Sequence, residues 1–289
     1  RLSILDLSVE GNQPMVSKSG RYYIVFNGEI YNHLGLRKMI EKIDHNLKWN
    51  GTSDTETILA LIDQFGIEKS IKKLTGMFSI CVFDKKNQKL SLIRDRMGEK
   101  PMYYGFVHNC FVFASELKSL KTLDNFDNEI DRESLSLYFK YNYIPAPRSI
   151  YKDIKKLEPG KILTFNLKDF SIKINKYWSI EYEVLNKKSS PKSLQESLIQ
   201  FNEIFTEAIS NQMISDVPLG AFLSGGIDSS IIVAKMQELS NNKVKTFTIG
   251  FNESDYNEAN YAKKIANYLG TDHYELYLNS QDLLDVIPK

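Results

Sequence analysis

The sequence predicts two architectures in one chain: a layered α+β half over residues 1–186 and a parallel α/β half over residues 193–289. Three observations predict this. From Gly76, short apolar runs separated by polar turns replace helical periodicity, as antiparallel strands require. Beyond residue 193, strand and helix patterns alternate, which favours a parallel, doubly wound sheet. Between the halves, residues 187–192 (KKSSPK) are charged, small and broken by proline, and read as a linker.

Each element follows from local pattern. Residues 1–6 alternate like a strand, and Tyr22 to Phe26 form another, ending at Asn27 and Gly28. A glycine after asparagine suits a turn with positive φ. Such a turn groups backbone N–H donors with the Asn27 amide, the composition of an oxyanion hole. A helix follows from about His33 to Lys42. Ser53 to Glu56 (SDTE) has the spacing of a capping box, and the helix behind it carries Ile58, Leu61, Ile62 and Phe65 before Gly66 stops it. Strands are predicted at Met77 to Phe83, Leu90 to Ile93, Met102 to Tyr104 and Cys110 to Ala114. Asp131 caps a helix through about Lys140, and strands from Lys161 to Phe165 and onward to Trp178 close the first half. The aromatic residues around 138–182 read as packing between the halves.

In the second half a helix from about Ser193 to Ser215 places Leu198, Phe201, Phe205, Ala208, Ile209 and Met213 on one stripe. Leu219 to Leu223 is a buried strand, followed at once by Ser224 to Ser230 (SGGIDSS) and a helix with Ile231, Ala234 and Leu239 inward. Strands at Lys245 to Phe251 and Tyr274 to Leu278 flank a helix from about Asn257 to Leu269, which stops at Gly270.

Composition bounds the function. A chain of 289 residues that is 42% hydrophobic and 25% charged is an ordinary globular sequence, long enough for two domains. Its net charge of +1 gives no support for nucleic acid or an anionic membrane as partner. No apolar run approaches the roughly 20 residues of a membrane span. Cys81 and Cys110 both lie in apolar runs and read as reduced core residues, which fits a cytoplasmic setting. The histidines show no metal-ligand spacing. The chain opens at Arg1 in mid-pattern and ends at Lys289 without a cap, so it reads as a partial sequence.

The glycine-rich stretch carries the chemistry. Strand, glycine turn and helix start together form a phosphate site, because glycines admit close backbone approach and the helix dipole favours an anion. Ser224, Ser229 and Ser230 add hydroxyls, while Asp228 repels phosphate unless a divalent cation bridges them. No Walker pattern is present. A plain turn of small residues is the bland alternative. The full SGGIDSS string after an apolar strand instead resembles the pyrophosphate loop of N-type ATP pyrophosphatases.

Upstream, RLSI at 1–4, NGEIYN at 27–32, SDTE at 53–56, GMF at 76–78 and Arg94 to Pro101 (RDRMGEKP) occur in order. With SGGIDSS they make the chain resemble class B glutamine-dependent asparagine synthetase along its whole length. The resemblance implies an N-terminal-nucleophile fold, an αββα sandwich, followed by a partial ATP-pyrophosphatase domain. It implies that Arg1 clamps the glutamine α-carboxylate, with Leu2, Ser3, Ile4 and Leu5 lining that pocket. Asn27 and Gly28 would form the oxyanion hole, and Glu29 and Asp54 would hold the α-ammonium. Asp54 serves equally well as a helix cap. ATP would meet Phe222, Ser224, Gly225, Gly226, Asp228, Ser229, Ser230 and Ile249, with Asp228 on Mg2+. Phe222 stands where the family carries leucine, and simple core packing is the alternative for Phe222 and Ile249.

The implied activity is a carbon–nitrogen ligase. ATP adenylates the aspartate side chain to β-aspartyl-AMP, and ammonia from glutamine displaces AMP. Glutamine, aspartate and ATP are the expected partners, and a homodimer is compatible with the family. The family's nucleophile is an N-terminal cysteine several dozen residues before the position of Arg1. Cys81 and Cys110, mid-chain in strands, cannot replace it, so the chain by itself is expected to be inactive. The acceptor pocket lies beyond residue 289 in the family. That leaves open a ligase acting on a sugar acid or β-lactam precursor, or an inactive nucleotide-binding relative.

Overall fold

The computed structural model describes residues 4–186, 193–251 and 257–286. The predicted linker at 187–192 and the first three residues, Arg1, Leu2 and Ser3, lie outside the described residues. The chain divides into two compact units, Arg1–Ser189 and Ser190–Lys289.

The first unit runs through a 3-10 turn at Val9–Gly11, β1 (Met15–Val16), β2 (Tyr22–Ile30), α1 (His33–Glu41), α2 (Asp54–Phe65), α3 (Ile67–Ile71) and β3 (Gly76–Asp84). It continues with β4 (Lys89–Arg94), β5 (Tyr103–Val107), β6 (Cys110–Ala114), α4 (Leu117–Leu120) and α5 (Arg132–Tyr141). It closes with β7 (Ile154–Lys156), β8 (Lys161–Asn166), β9 (Ile172–Lys176) and α6 (Ile180–Asn186). One antiparallel sheet has the order β1-β2-β3-β4-β8-β9, the other β6-β5-β7.

Alternation along the strands builds the layers. Ile24, Phe26, Ile30, Phe78, Ile80 and Val82 face α1–α3 and meet Leu36, Ile40, Ile58 and Ile62 there. Cys81, Leu92, Leu163 and Phe165 point the other way, onto Tyr104 of the second sheet and Met102 just before it. Phe111 of β6 stacks on Phe165 with ring centroids 4.4 Å apart. Because β3 is covered on both faces, its sequence is a continuous apolar run rather than an alternating one. Helices, sheet and second sheet, with α4 lying against β6, make the N-terminal-nucleophile sandwich that the resemblance implies.

Several local expectations change. Residues 4–6 are not a strand; Asp6 has φ 55° and binds Ser8 and Thr52. β2 does not stop at Phe26 but runs through Asn27 and Gly28, so they do not form a turn. The capping box is half formed. Ser53 accepts from Glu56 N, but Glu56 turns to the Asn50 and Gly51 N–H groups. Cys81 is buried, whereas Cys110 is exposed; both are free thiols.

The second unit holds α7 (Leu194–Gln212), β10 (Gly220–Phe222), α8 (Ile227–Leu239), β11 (Lys245–Phe251), α9 (Ala259–Leu269), β12 (Asp272–Leu278) and α10 (Ser280–Val286). Ser193 and Glu196 cap α7 reciprocally, a complete capping box. β10, β11 and β12 are parallel and adjacent in chain order. Leu223, Val233, Ala262 and Ala266 form the core under α8 and α9, and Ile209 of α7 joins Met236 and Val244 beside it.

The inward stripes differ from the expected ones. On α8, Val233 and Met236 are buried while Ile231 and Leu239 are exposed. Ile231, Ile232 and Val233 surround the helix with apolar groups, so periodicity did not single out a face. On α7, Leu198 and Phe201 are exposed and only the C-terminal part of the stripe is packed. The described helices cover one face of the parallel sheet. Phe222, Phe247, Ile249, Tyr274 and Leu276 on its other face are exposed among the described residues.

Candidate functional site

In the first unit, Ile4, Leu5, Gly28, Glu29 and Asp54 line one small cavity together with Gln13, Phe26 and Thr55. Residues from the N-terminal segment, β2 and the start of α2 thus converge, although they are separated by up to 51 positions in sequence.

β2 and β3 hold this arrangement through two glycines. Gly28 has φ +154°, and a Cβ there would lie 2.1 Å from the Met77 carbonyl oxygen. On β3, opposite Ile30, Gly76 has φ +157°, and a Cβ would lie 2.1 Å from the Glu29 carbonyl oxygen. The strands approach so closely that neither site admits a side chain. Asn27, paired with Ser79 across the ladder, donates from Nδ2 to Ser115 Oγ at 2.9 Å.

Glu29 and Asp54 are the acidic pair of the cavity, 7% and 5% exposed. Burial pushes the Glu29 carboxyl above the usual carboxylate range, the neighbouring Asp54 charge adds to this, and Lys100 opposes it. Asp54 occupies the first position of α2, where Ser53 rather than Asp54 is the cap. Its Oδ2 accepts from Ile30 N at 2.9 Å, tying the helix start to β2. Two carboxylates withdrawn from water side by side favour a cationic group between them.

Lys100 is placed by a second device. Asp95, fully buried, accepts from the backbone N–H groups of Phe78, Met97, Glu99 and Lys100 at 2.9–3.3 Å. Arg94 closes the same loop by donating to the carbonyls of Gly98, Lys100 and Leu157 at 2.7–2.8 Å. Arg94 and Asp95 are therefore scaffold for the loop carrying Glu99 and Lys100. Burial lifts the Tyr31 hydroxyl to about 12, and the nearby charges of Glu99 and Glu29 add to this.

In the second unit the SGGIDSS stretch links β10 to α8. Gly225 has φ +85°, and a Cβ there would meet Tyr261 Cβ at 2.8 Å and Ala262 N at 3.0 Å, so α9 presses on the loop and requires glycine. Gly226 is the N-cap of α8 and supplies no side-chain cap. The loop is drawn in by its own hydroxyls: Ser224 Oγ lies 3.0 Å from Ser229 Oγ, and Ser230 Oγ donates to Gly226 O at 2.6 Å. Leu223 N donates to Phe247 O at 2.9 Å, and Thr248 Oγ1 donates back to Leu223 O, fixing the loop to β11. Ser224, Gly226 and Asp228 are exposed, so the turn opens outward at the carboxyl end of a parallel strand.

Phe222 is 80% exposed and Ile249 47%, both on the uncovered face of the sheet, so neither is a core residue among the described positions. Among the described residues no cluster of three or more His, Cys, Asp or Glu has metal-holding geometry, and Asp228 is the lone carboxylate in the first turn of α8. Gln13 and Ser115 carried no sequence signal. Gln13 Oε1 accepts from Phe26 N at 2.6 Å and lines the cavity, yet it sits in an irregular segment.

Residues 1–178 match the family described as glutamine amidotransferase domain. The chain belongs to this family. Residues 200–289 match a second family, described as asparagine synthase. Among curated proteins, all of the chain aligns at 38% identity with 57% of a putative glutamine-hydrolyzing asparagine synthetase 2 of Methanocaldococcus jannaschii. All of it also aligns at 34% identity with 44% of glutamine-hydrolyzing asparagine synthetase 1 of Bacillus subtilis. The chain spans about half the length of these relatives. Among solved structures, glutamine phosphoribosylpyrophosphate amidotransferase from B. subtilis aligns over 96% of this chain and 76% of its own at 15% identity, with a TM-score of 0.45.

Proposed function

We propose that the protein is a glutamine-dependent asparagine synthetase in which the first unit binds glutamine and the second grips ATP. The observation that carries this reading is the single cavity shared by Ile4, Leu5, Gly28, Glu29 and Asp54. Glu29 and Asp54 hold the glutamine α-ammonium. That charge offsets the repulsion between them and brings the Glu29 carboxyl back toward its ordinary range. Arg1 takes the α-carboxylate by a bidentate contact, with Leu2 and Ser3 beside it. Asn27 Nδ2 and the Gly28 N–H stabilise the oxyanion that develops on the glutamine side-chain carbonyl.

In the second unit, Ser224, Gly225, Gly226, Ser229 and Ser230 receive the pyrophosphate of ATP, and the N-terminus of α8 favours its charge. Phe222 and Ile249 offer the adenine an exposed apolar surface. Asp228 alone cannot form a closed metal site, but one carboxylate with substrate phosphates and water is the usual setting of Mg2+. Bound there, the ion would neutralise charge on the leaving pyrophosphate. The acceptor is the aspartate side chain, activated as β-aspartyl-AMP and attacked by ammonia. No helix among the described residues is long and apolar enough to cross a membrane.

The test uses the complete protein and separates the half reactions. Asp228→Asn is expected to abolish aspartate-dependent pyrophosphate release and leave glutamine hydrolysis intact. Equal loss of both would refute the role of Asp228. Pyrophosphate release driven by another carboxylate but not by aspartate would refute the acceptor.

A further inference from the structure

The Asn27 amide does not stand alone on its strand. Its Nδ2 donates to Ser115 Oγ at 2.9 Å, a bond spanning 88 positions that runs from β2 of the large sheet to the residue immediately after β6 of the small one. A second hydroxyl lies on the neighbouring strand. Ser79 faces Asn27 across the β2–β3 ladder, so both side chains leave the same face of the sheet. Ser79 Oγ is buried and has no hydrogen-bond partner among the described residues. Of the two hydroxyls, the amide uses the one supplied by the other sheet.

An asparagine χ2 torsion is broad and roughly two-fold, so an amide without an anchored N–H presents oxygen or nitrogen almost interchangeably. An oxyanion donor must be aimed before the charge develops. An acceptor on one N–H fixes which end is nitrogen. The second N–H, held in the amide plane at about 120° to the first, then has a set direction.

We infer that Ser115 is a positioning residue for glutamine hydrolysis: its Oγ holds one Asn27 N–H so that the other is aimed at the reacting carbonyl. This rests on the oxyanion role proposed for Asn27. Ser115 touches no reacting atom and acts only through the amide.

The experiment measures glutamine hydrolysis and ammonia-dependent synthesis by the complete protein. Ser115→Ala and Ser115→Cys, the second of similar size but a weak acceptor, are expected to lower the glutaminase kcat roughly 10- to 100-fold. KM for glutamine should stay within about threefold, because ground-state binding is untouched. Ser115→Thr restores the acceptor and should recover most of the rate. Ammonia-dependent synthesis should be unchanged in all three, which also reports that they fold. Asn27→Ala combined with Ser115→Ala should be no slower than Asn27→Ala alone. Ser79→Ala should behave as wild type. The inference is overturned if Ser115→Ala and Ser115→Cys keep the wild-type kcat, if Ser115→Thr is as slow as alanine, or if both activities fall together. A wild-type protein without glutaminase activity, or an unimpaired Asn27→Ala, would instead remove the proposed function beneath it.

Discussion

Gly225→Ala tests whether α9 dictates the shape of the phosphate loop. The residue has φ +85°, where a Cβ costs about 1–2 kcal/mol by itself. The new methyl would also sit 2.8 Å from Tyr261 Cβ and 3.0 Å from Ala262 N. These atoms belong to the helix backbone or its root, and Ala262 is fully buried beside Leu223 and Val233, so α9 cannot retreat without opening the core. Overpacking of that kind costs about 1–3 kcal/mol. Together the substitution should destabilise the second unit by roughly 2–5 kcal/mol, or displace the loop to escape the clash. Either outcome spoils the alignment of N–H groups for pyrophosphate. Gly226→Ala is the internal control. Its φ is −74°, and a Cβ would meet only Ser224 Oγ at 3.4 Å, so its stability cost should stay below about 1 kcal/mol. Thermal and urea unfolding of the complete protein, with pyrophosphate release as the second readout, decides the matter. If Gly225→Ala unfolds like wild type and releases pyrophosphate at the wild-type rate, the steric argument fails. Equal destabilisation by the two variants would sink it as well.

Asp95→Asn should destabilise the first unit by roughly 3–5 kcal/mol in urea unfolding, since an amide nitrogen would face two of the four N–H groups the carboxylate now accepts; a loss under about 1 kcal/mol would contradict the scaffold role. Glu29 has its carboxyl raised in the folded state, chiefly by burial. Its contribution to stability is therefore present below the ordinary carboxylate value and lost as pH rises through the raised one. Glu29→Gln should accordingly raise the unfolding temperature at neutral pH and flatten its rise on acidification, while abolishing glutamine hydrolysis. A lower unfolding temperature at neutral pH would reverse the sign of the argument. Cys110 is exposed, while Cys81 is buried with its thiol pushed up to about 12, so of these two a thiol reagent should label Cys110 in the native protein and Cys81 only after unfolding. Native labelling at Cys81 would show that the core between the sheets opens.

Sequence alone determined the elements whose signals are local. The α9 helix, Ala259–Leu269, stops at Gly270 in the left-handed conformation, α2 stops at Gly66, and alternation of strand with helix produced a parallel sheet, because caps, breakers and periodicity act within a few residues. The glycines of SGGIDSS were legible for the same reason. Only the tertiary structure decided which faces are buried and what Asn27 touches. Gly28 looked like a turn residue because its need for a bare Cα comes from Met77, 49 positions away, and no neighbour in sequence records that contact. Cys110 sat in as apolar a run as Cys81, yet only the second sheet's position determined that one thiol is covered and the other is not. Ser115 had no signal at all, since its bond to Asn27 joins the end of β6 to β2 of the other sheet and exists only once the sandwich has closed.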